Sequence, residues 1–214
     1  MLMPTSSAPS VPPPVVASRD ATALRFVAAL ALTASAVWAI GAMLAVLLPL
    51  VGGEPVEVEL LAAGAVTVGD ADGIPPLIAQ SYLVLVDAGD VSGGAFGLLL
   101  AEAGLTNLVG AVVAGVIAFA LRAIARGDAF HRAMPGLMVA VGSALAIGML
   151  AASALGGLGR MMAADELNAA AGSEQLAVGF AFDPVPVVVG VAVLALAFVF
   201  RAGARLQRET AGLV

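Results

Sequence analysis

The chain has 214 residues, of which 61% are hydrophobic and 11% are charged, and its formal net charge is −6. Soluble domains carry about a quarter charged residues, so this composition indicates a membrane protein. The absence of cysteine excludes disulfides, thiolate catalysis and cysteine metal sites, and a single histidine excludes a histidine-cluster metal site. Carboxylate sites for a hard cation stay open.

The first 23 residues are rich in proline, serine and alanine, which predicts a disordered cytoplasmic tail with partial polyproline II character. An apolar run over 26–51 follows. A cleavable signal peptide has an apolar region of about 7–15 residues, so this longer run is interpreted as a signal anchor that stays in the protein. Pro49, near the end of the run, is expected to bend or end the helix.

Four apolar runs predict a mainly α membrane domain over 24–214 with four transmembrane helices. A helix rises ~1.5 Å per residue and the hydrocarbon core is ~30 Å thick, so ~20 residues suffice for one crossing. The fourth run is short, and Arg201 and Arg205 are expected to lengthen it by snorkelling. The predicted spans are 26–51, 98–121, 135–155 and 185–204.

The distribution of arginine predicts the orientation in the membrane. Eight of the nine arginines lie in the tail, in the loop between the second and third spans, or after the fourth span, and only Arg160 lies on the other side. By the positive-inside rule, both termini are expected to be cytoplasmic. The lack of lysine and the abundance of alanine, glycine and valine are typical of a GC-rich bacterial genome, so the expected location is a bacterial cytoplasmic membrane.

Two long outer loops, 52–97 and 156–184, are expected to build a small extracytoplasmic β-sheet over the helix ends. The stretches "PVEVELLA", "GAVTV" and "QSYLVLV" in the first loop and "EQLAVGFAFDP" in the second have the alternation of short strands. The stretch "GDADG" in the first loop is interpreted as a solvated turn, since it lacks the terminal glutamate of an EF-hand loop. Weak carboxylate binding of a cation is the alternative.

Polar residues are rare inside the predicted spans. Glu102 and Asn107, near the outer end of the second span, form the candidate outer polar site. Glu102 is interpreted as an interfacial carboxylate, or alternatively as a residue that lines an outer vestibule, and Asn107 is expected to hydrogen-bond across helices. Ala140, Ala144, Gly148, Ala152 and Gly156 form a small-residue face on the third span, which favours close helix packing or, alternatively, oligomerisation.

Two basic segments are expected on the cytoplasmic side. In the loop after the second span, Gly127 is predicted to end one helix and Asp128 to cap the next. His131 is interpreted as an interfacial surface residue, although its ordinary pKa of about 6.5 also allows a pH-responsive role. The candidate contacts to anionic lipid headgroups or to a cytoplasmic protein partner are Arg122, Arg126, Phe130, His131, Arg132, Arg201, Arg205 and Arg208.

Short motifs in these segments carry a resemblance. They comprise Arg126, Gly127 and Phe130 in the loop, Phe200, Arg201, Gly203 and Leu206 after the fourth span, and Gly212, Leu213 and Val214 at the end. With the four-span plan, they resemble a family of bacterial integral membrane proteins known only as a domain of unknown function. Family members commonly carry an asparagine shortly after the phenylalanine, where this chain has "HRAM" over 131–134. The genes of the family often lie beside a small helix-turn-helix regulator, so the resemblance implies a membrane partner of a DNA-binding protein. No catalytic residue is established in the family, so the resemblance assigns none to this chain.

The residues themselves predict a non-enzymatic regulatory or interaction protein, since no catalytic, cofactor or metal motif is found. A transporter or channel subunit is the alternative. A membrane enzyme that uses Asp165 and Glu166 is disfavoured, because adjacent residues on a helix do not face the same way. The expected partners are the lipid bilayer with its anionic headgroups, a cytoplasmic protein and a second copy of the chain, and no nucleic acid is expected.

Overall fold

The computed structural model of the chain describes residues 18–68, 77–126, 134–179 and 182–211. Helix α1 covers Ser18–Leu47 and continues into a π-helical turn, Leu48–Gly52. Strands β1 (Val56–Val68) and β2 (Leu77–Val86) follow, and then helix α2 (Gly93–Ala125). Helix α3 (Met134–Ser143), a second π-helical turn (Ala144–Gly148) and helix α4 (Met149–Ala171) form one continuous helical segment. Helix α5 covers Val185–Ala211.

Three helical stretches in the described part of the chain are long and apolar enough to cross a membrane: Thr22–Gly52, Gly93–Ala125 and Met134–Ala171. They agree with the membrane class that the composition indicates. The apolar part of α5 is shorter and spans Val185–Val199. This is below the ~20 residues that one crossing needs, so length and composition support three of the four predicted spans.

The helices extend beyond the boundaries predicted from hydropathy. Helix α1 begins at Ser18, within the segment predicted to be a disordered tail, and residues 1–17 lie outside the described residues. Helix α4 runs to Ala171, so the first half of the outer loop predicted at 156–184 is helical. The stretch "MMAADELNAAA" continues the helix because alanine, methionine, leucine and glutamate have high helix propensity. Gly172, with a φ of 60°, ends it in the left-handed conformation that favours glycine.

The helices pack in a row in the order α1, α2, α3–α4 and α5, and the residues that meet at their glycines show that each is antiparallel to its neighbour. Between α1 and α2, Ser35 Oγ donates a hydrogen bond of 2.8 Å to the carbonyl oxygen of Ala111, and Trp38 lies against Gly110. The indole thus contacts α2 on one side and is 44% exposed. The outer sides of the row expose apolar side chains, among them Phe26 at 65% and Phe198 at 62%, which suits contact with lipid.

Two residues of the small-residue face predicted on the third span lie against α2. Gly148 lies against Val109 and Gly156 against Glu102, both on α2. Before the second π-helical turn, Gly142 instead lies against α5, close to Gly190. A π-helical turn contains more residues than an α-helical turn, so it rotates the helix surface that follows. Gly142, which is not part of the predicted face, thus serves a different interface from Gly148 and Gly156.

Pro49 is buried in the first π-helical turn, and the chain leaves the helix at Gly53, whose φ is 66°. Pro49 was predicted to bend or end the helix, and the helix instead continues through it as the π-helical turn, to Gly52. Proline lacks the N–H that an α-helical turn requires, and the wider turn accommodates this loss.

The sheet has two antiparallel strands, and both come from the first outer loop. The register runs from Val56 opposite Val86 to Val68 opposite Leu77, with an irregularity between Leu61 and Val66. A sheet built from both outer loops was predicted; among the described residues, the second loop joins β1 through an isolated antiparallel bridge between Ala62 and Leu176 and adds no further strand. The extension of α4 shortens that loop and leaves few residues for pairing. The "GDADG" turn lies outside the described residues.

One face of the sheet packs on the ends of α2 and α4. Val58, Leu60 and Val86 from the strands form a buried cluster with Phe96 and Leu99 of α2, and Ala163 of α4 joins it. We call the sheet, residues 93–102 of α2, residues 156–171 of α4 and the segment 172–179 the cap. The prediction that the sheet covers the helix ends is confirmed.

Replacement of Gly190 by alanine is expected to destabilise the contact between α3 and α5. A β-carbon at Gly190 would overlap the backbone at Ala146 and Gly142, which cannot move as a flexible side chain can. Overpacking of this kind costs about 1–3 kcal/mol. The measurement is the thermal midpoint in detergent. Gly97→Ala on α2 is the matched control, since a β-carbon there meets no atom within 4 Å, and an equal loss of stability in both variants would contradict this interpretation.

Candidate functional site

An ion pair joins α2 to α4 at the base of the cap. Arg160 Nη2 donates a hydrogen bond of 2.8 Å to Glu102 Oε1, and the two side chains are 30% and 21% exposed. Gly156, one helical turn before Arg160, lies directly under the carboxylate, and a β-carbon at this position would overlap it. The absence of a side chain at Gly156 is therefore what lets Glu102 reach Arg160.

The spacing of the charged residues along α2 gives the distance between the ion pair and the other end of the helix. Glu102 precedes Arg122 by 20 residues, or about 30 Å of helix at ~1.5 Å per residue. This is about the thickness of a hydrocarbon core. The ion pair therefore lies one membrane thickness from the arginines at the other end of α2.

Several arginines meet at the opposite end of the helices. The antiparallel packing of the row brings Arg25 of α1, Arg122 and Arg126 of α2 and Arg201 of α5 to this end, and all four are exposed. Arg126 Nε donates a hydrogen bond of 3.2 Å to the carbonyl oxygen of Arg122. We call these four residues the arginine end.

The remaining candidate contacts on this side are not placed by the structure in detail. Phe130, His131 and Arg132 lie outside the described residues, and so do Gly127 and Asp128. Arg205 and Arg208 belong to helix α5.

Glu102 and Asn107, the two residues of the predicted outer polar site, have different partners in the structure. Asn107 Nδ2 donates a hydrogen bond of 2.8 Å to the carbonyl oxygen of Ala103 in its own helix, and its Oδ1 lies close to Gly41 of α1. Glu102 faces α4 instead. Glu102 and Asn107 are five positions apart in the helix, which places them on different sides of α2. Asn107 therefore belongs to the contact between α1 and α2.

A cavity of about 340 Å³ opens beside the ion pair, and we call it the cap cavity. It lies among strand β1, helices α2 and α4, and the segment that leads to α5. Charged and apolar side chains share its wall. The lining residues are Glu59, Leu60, Leu61, Glu102, Ser153, Arg160, Ala177, Gly179, Phe182 and Asp183.

Two carboxylates at the cap cavity are held by local hydrogen bonds. Glu59 lies on the face of β1 opposite to Val58 and Leu60, and its Oε1 accepts a hydrogen bond of 2.6 Å from Ser81 Oγ of β2. Asp183 Oδ1 accepts a hydrogen bond of 2.9 Å from the backbone N–H of Val185 and so caps the start of α5. These bonds limit the directions in which the two carboxylates point.

The segment 172–179 forms another wall and is bound on both sides. Asn168 of α4 pairs with Leu176: its Nδ2 donates to the carbonyl oxygen at 2.7 Å, and its Oδ1 accepts from the N–H at 3.0 Å. On the other side, the N–H of Ala177 donates a hydrogen bond of 2.8 Å to the carbonyl oxygen of Leu61. The N–H of Ala63 donates one of 2.9 Å to the carbonyl oxygen of Gln175. The side-chain amide of Asn168 thus acts as a short substitute for a neighbouring strand.

A further contact ties α4 to the beginning of α2. Glu166 accepts a hydrogen bond from the backbone N–H of Ser92, and Ser92 Oγ in turn accepts one of 3.3 Å from Ala95 N–H. A carboxylate at a helix N-terminus is favoured because the first N–H groups of a helix lack partners within it. Glu166, considered above for acid–base work, therefore has a structural role in the cap.

Metal binding finds no support in the described residues, where no group of three or more acidic or histidine side chains could hold an ion. The carboxylates of Glu59, Glu102 and Asp183 line the same cavity but do not converge on one point. No polar or charged residue is buried among the side chains that the structure describes, which are those of residues 22–63, 81–126, 134–179, 182–199 and 201–202.

The cap cavity and the role of Arg160 were missed by the sequence interpretation. Arg160 was treated as an exception to the charge distribution. A signal was nevertheless present, since Arg160 is the one arginine among outer acidic residues and Gly156 precedes it by one helical turn. An arginine at the edge of an apolar helix needs a partner, and Glu102 is the one acidic residue in the apolar run of α2.

Comparison of the chain with protein-family models, with curated proteins and with solved structures gives no match.

Removal of either charge of the ion pair is expected to destabilise the protein. Glu102→Gln leaves the half-buried guanidinium of Arg160 without its carboxylate, and Arg160→Gln leaves the carboxylate without its guanidinium. We expect each variant to lose about 1–2 kcal/mol and the double variant to lose less than the sum. Thermal unfolding in detergent measures the cycle, with Asp165→Asn on the exposed side of α4 as the control. Strict additivity would show that the pair does not couple.

Replacement of Asn168 by leucine is expected to release the segment 172–179 from α4, because both hydrogen bonds to Leu176 are lost. Hydrogen exchange followed by mass spectrometry should show faster exchange in peptides that contain Ala63, Leu176 and Ala177. Asp165→Leu, one turn earlier on α4 and exposed, is the matched control. Unchanged protection of these amides in the Asn168 variant would show that the strand contacts alone hold the segment.

Proposed function

We propose that the chain is a four-span integral protein of a bacterial cytoplasmic membrane, with the arginine end and both termini in the cytoplasm and the cap outside. The exposed apolar sides of the helix row support the membrane location. The distance of about 30 Å between the arginine end and the ion pair supports a crossing between these two levels. Helix α5 makes the fourth crossing in this proposal, with Arg201 reaching the headgroups at its end.

Its role in this proposal is regulatory or interactive and non-enzymatic. The observation that carries it is the separation of polar groups: they are organised at the cap and at the arginine end, and no buried polar or charged side chain lies between them in the described helices. A transporter needs polar groups along a path through the membrane. Two polar ends joined by an apolar helix row suit a protein that binds a ligand at the cap, outside the membrane, and contacts lipid or protein at the arginine end, in the cytoplasm.

The resemblance to the bacterial four-span family fits this role. Genes of that family often lie beside a helix-turn-helix regulator, and the motifs that carry the resemblance include Arg126 and Arg201 of the arginine end. We therefore propose a cytoplasmic protein as the partner of the arginine end, with anionic lipid headgroups around it. Binding of the partner is expected to depend on the arginine charges.

The proposed orientation predicts a labelling pattern. A single cysteine at Glu174, which is exposed in the cap, should react with a membrane-impermeant maleimide in intact spheroplasts. A cysteine at Ala202, which is exposed near the arginine end, should react only after the membrane is opened. The chain has no native cysteine, so the unmodified protein is the blank. The reverse pattern would refute the orientation.

Cross-linking in native membranes followed by mass spectrometry tests the proposed partner. Wild type is compared with a triple variant that carries glutamine at Arg122, Arg126 and Arg201, and with the lysine triple variant, which keeps the charge. We expect one cytoplasmic protein to be enriched with wild type and with the lysine variant, and to be lost with the glutamine variant. No enrichment over an unrelated four-span protein, together with solute flux in proteoliposomes, would favour a transporter instead.

A further inference from the structure

We propose that the cap cavity binds a small organic cation, namely a primary ammonium group attached to a short apolar body. This inference rests on the proposed function only for the side of the membrane from which the ligand enters. The cavity itself, its charges and its walls are features of the folded cap.

The charges at the cavity favour a cation. Three carboxylates, from Glu59, Glu102 and Asp183, and the guanidinium of Arg160 line it, which leaves a formal charge of −2. Arg160 is already paired with Glu102 at 2.8 Å. Glu59 and Asp183 each receive one hydrogen bond from the protein, and a carboxylate can accept several. These two carboxylates are therefore the ones that can take an ammonium group.

The size of the cavity and the spacing of its carboxylates favour an organic cation over a metal ion. A volume of about 340 Å³ lies in the range of small-molecule sites, which is about 300–1,000 Å³. The carboxylates do not form a group that could hold a metal ion within the described residues. A molecule with a body of several carbon atoms can fill the space and still bring its ammonium group to a carboxylate.

The remaining walls suit the apolar body of such a ligand. Leu61 from β1 and Phe182 before α5 contribute apolar surface to these walls. The cavity lies beside the ion pair, at the level where lipid headgroups begin in the proposed orientation. An ammonium group can therefore come from an ethanolamine lipid headgroup or from a soluble amine.

Binding is measured on the purified full-length protein in two arms. In the soluble arm, phenethylamine is titrated by calorimetry into protein in a neutral detergent, with uncharged 2-phenylethanol as the matched probe. In the lipid arm, native mass spectrometry compares retention of phosphatidylethanolamine and phosphatidylglycerol of the same acyl chains. We expect phenethylamine to bind and 2-phenylethanol not to bind, or phosphatidylethanolamine to be retained over phosphatidylglycerol, and the arm that responds identifies the source.

Two variants remove the charges that the proposal uses while keeping the local hydrogen bonds. Glu59→Gln keeps an acceptor for Ser81, and Asp183→Asn keeps a good capping residue for α5. Each is expected to weaken binding about three- to tenfold, since both carboxylates are exposed. Glu57→Gln is the control, because Glu57 lies on the same face of β1 but does not line the cavity. Its binding should equal that of wild type.

Three results would overturn the proposal: no binding in either arm, equal binding of the charged and uncharged probes, or binding that the Glu59 and Asp183 variants leave unchanged. The proposed orientation is judged separately by maleimide labelling. Reversed labelling with intact amine binding would refute the orientation and leave the cavity assignment standing. Thermal midpoints of the variants within about 2 °C of wild type show that the cap is folded, so that loss of binding reports on charge.

Discussion

The contact between α2 and α4 organises the molecule, and the ion pair of Glu102 and Arg160 is its polar part. Two charged groups at the end of an apolar helix pair lose part of their hydration, so each needs the other close by. Gly156 provides the space for that meeting. On one side of the pair the helices contact each other through glycine and aliphatic side chains. On the other side, Leu99 and the buried cluster of the cap begin.

The cap depends on helices that are longer than a membrane is thick. A two-stranded hairpin by itself is at best marginally stable in water, and here it gains a surface to pack on from the protruding ends of α2 and α4. Glu166 and Asn168, both on the last turns of α4, then bind the start of α2 and the segment 172–179. The extension of α4 to Ala171 thus positions two contacts that hold the cap cavity together.

The proposed regulatory role needs a physical connection between the cap cavity and the arginine end, and α2 and α4 provide one. A ligand in the cap cavity lies next to Glu102 and Arg160, which belong to two different helices. Those helices contact each other again further along, where Gly148 lies against Val109, and α2 ends at the arginine end. In the proposed regulatory role, a change in the spacing of α2 and α4 is the route from the cap to the cytoplasmic surface.

Sequence by itself determined the membrane class, the three long apolar helices and the hairpin strands, because hydropathy and strand alternation act locally. Tertiary structure decided the partner of Arg160, the separation of Asn107 from Glu102, and the length of α4. These depend on how each helix is rotated against its neighbour, and the second π-helical turn changes that rotation within an apolar run that gives no sign of it.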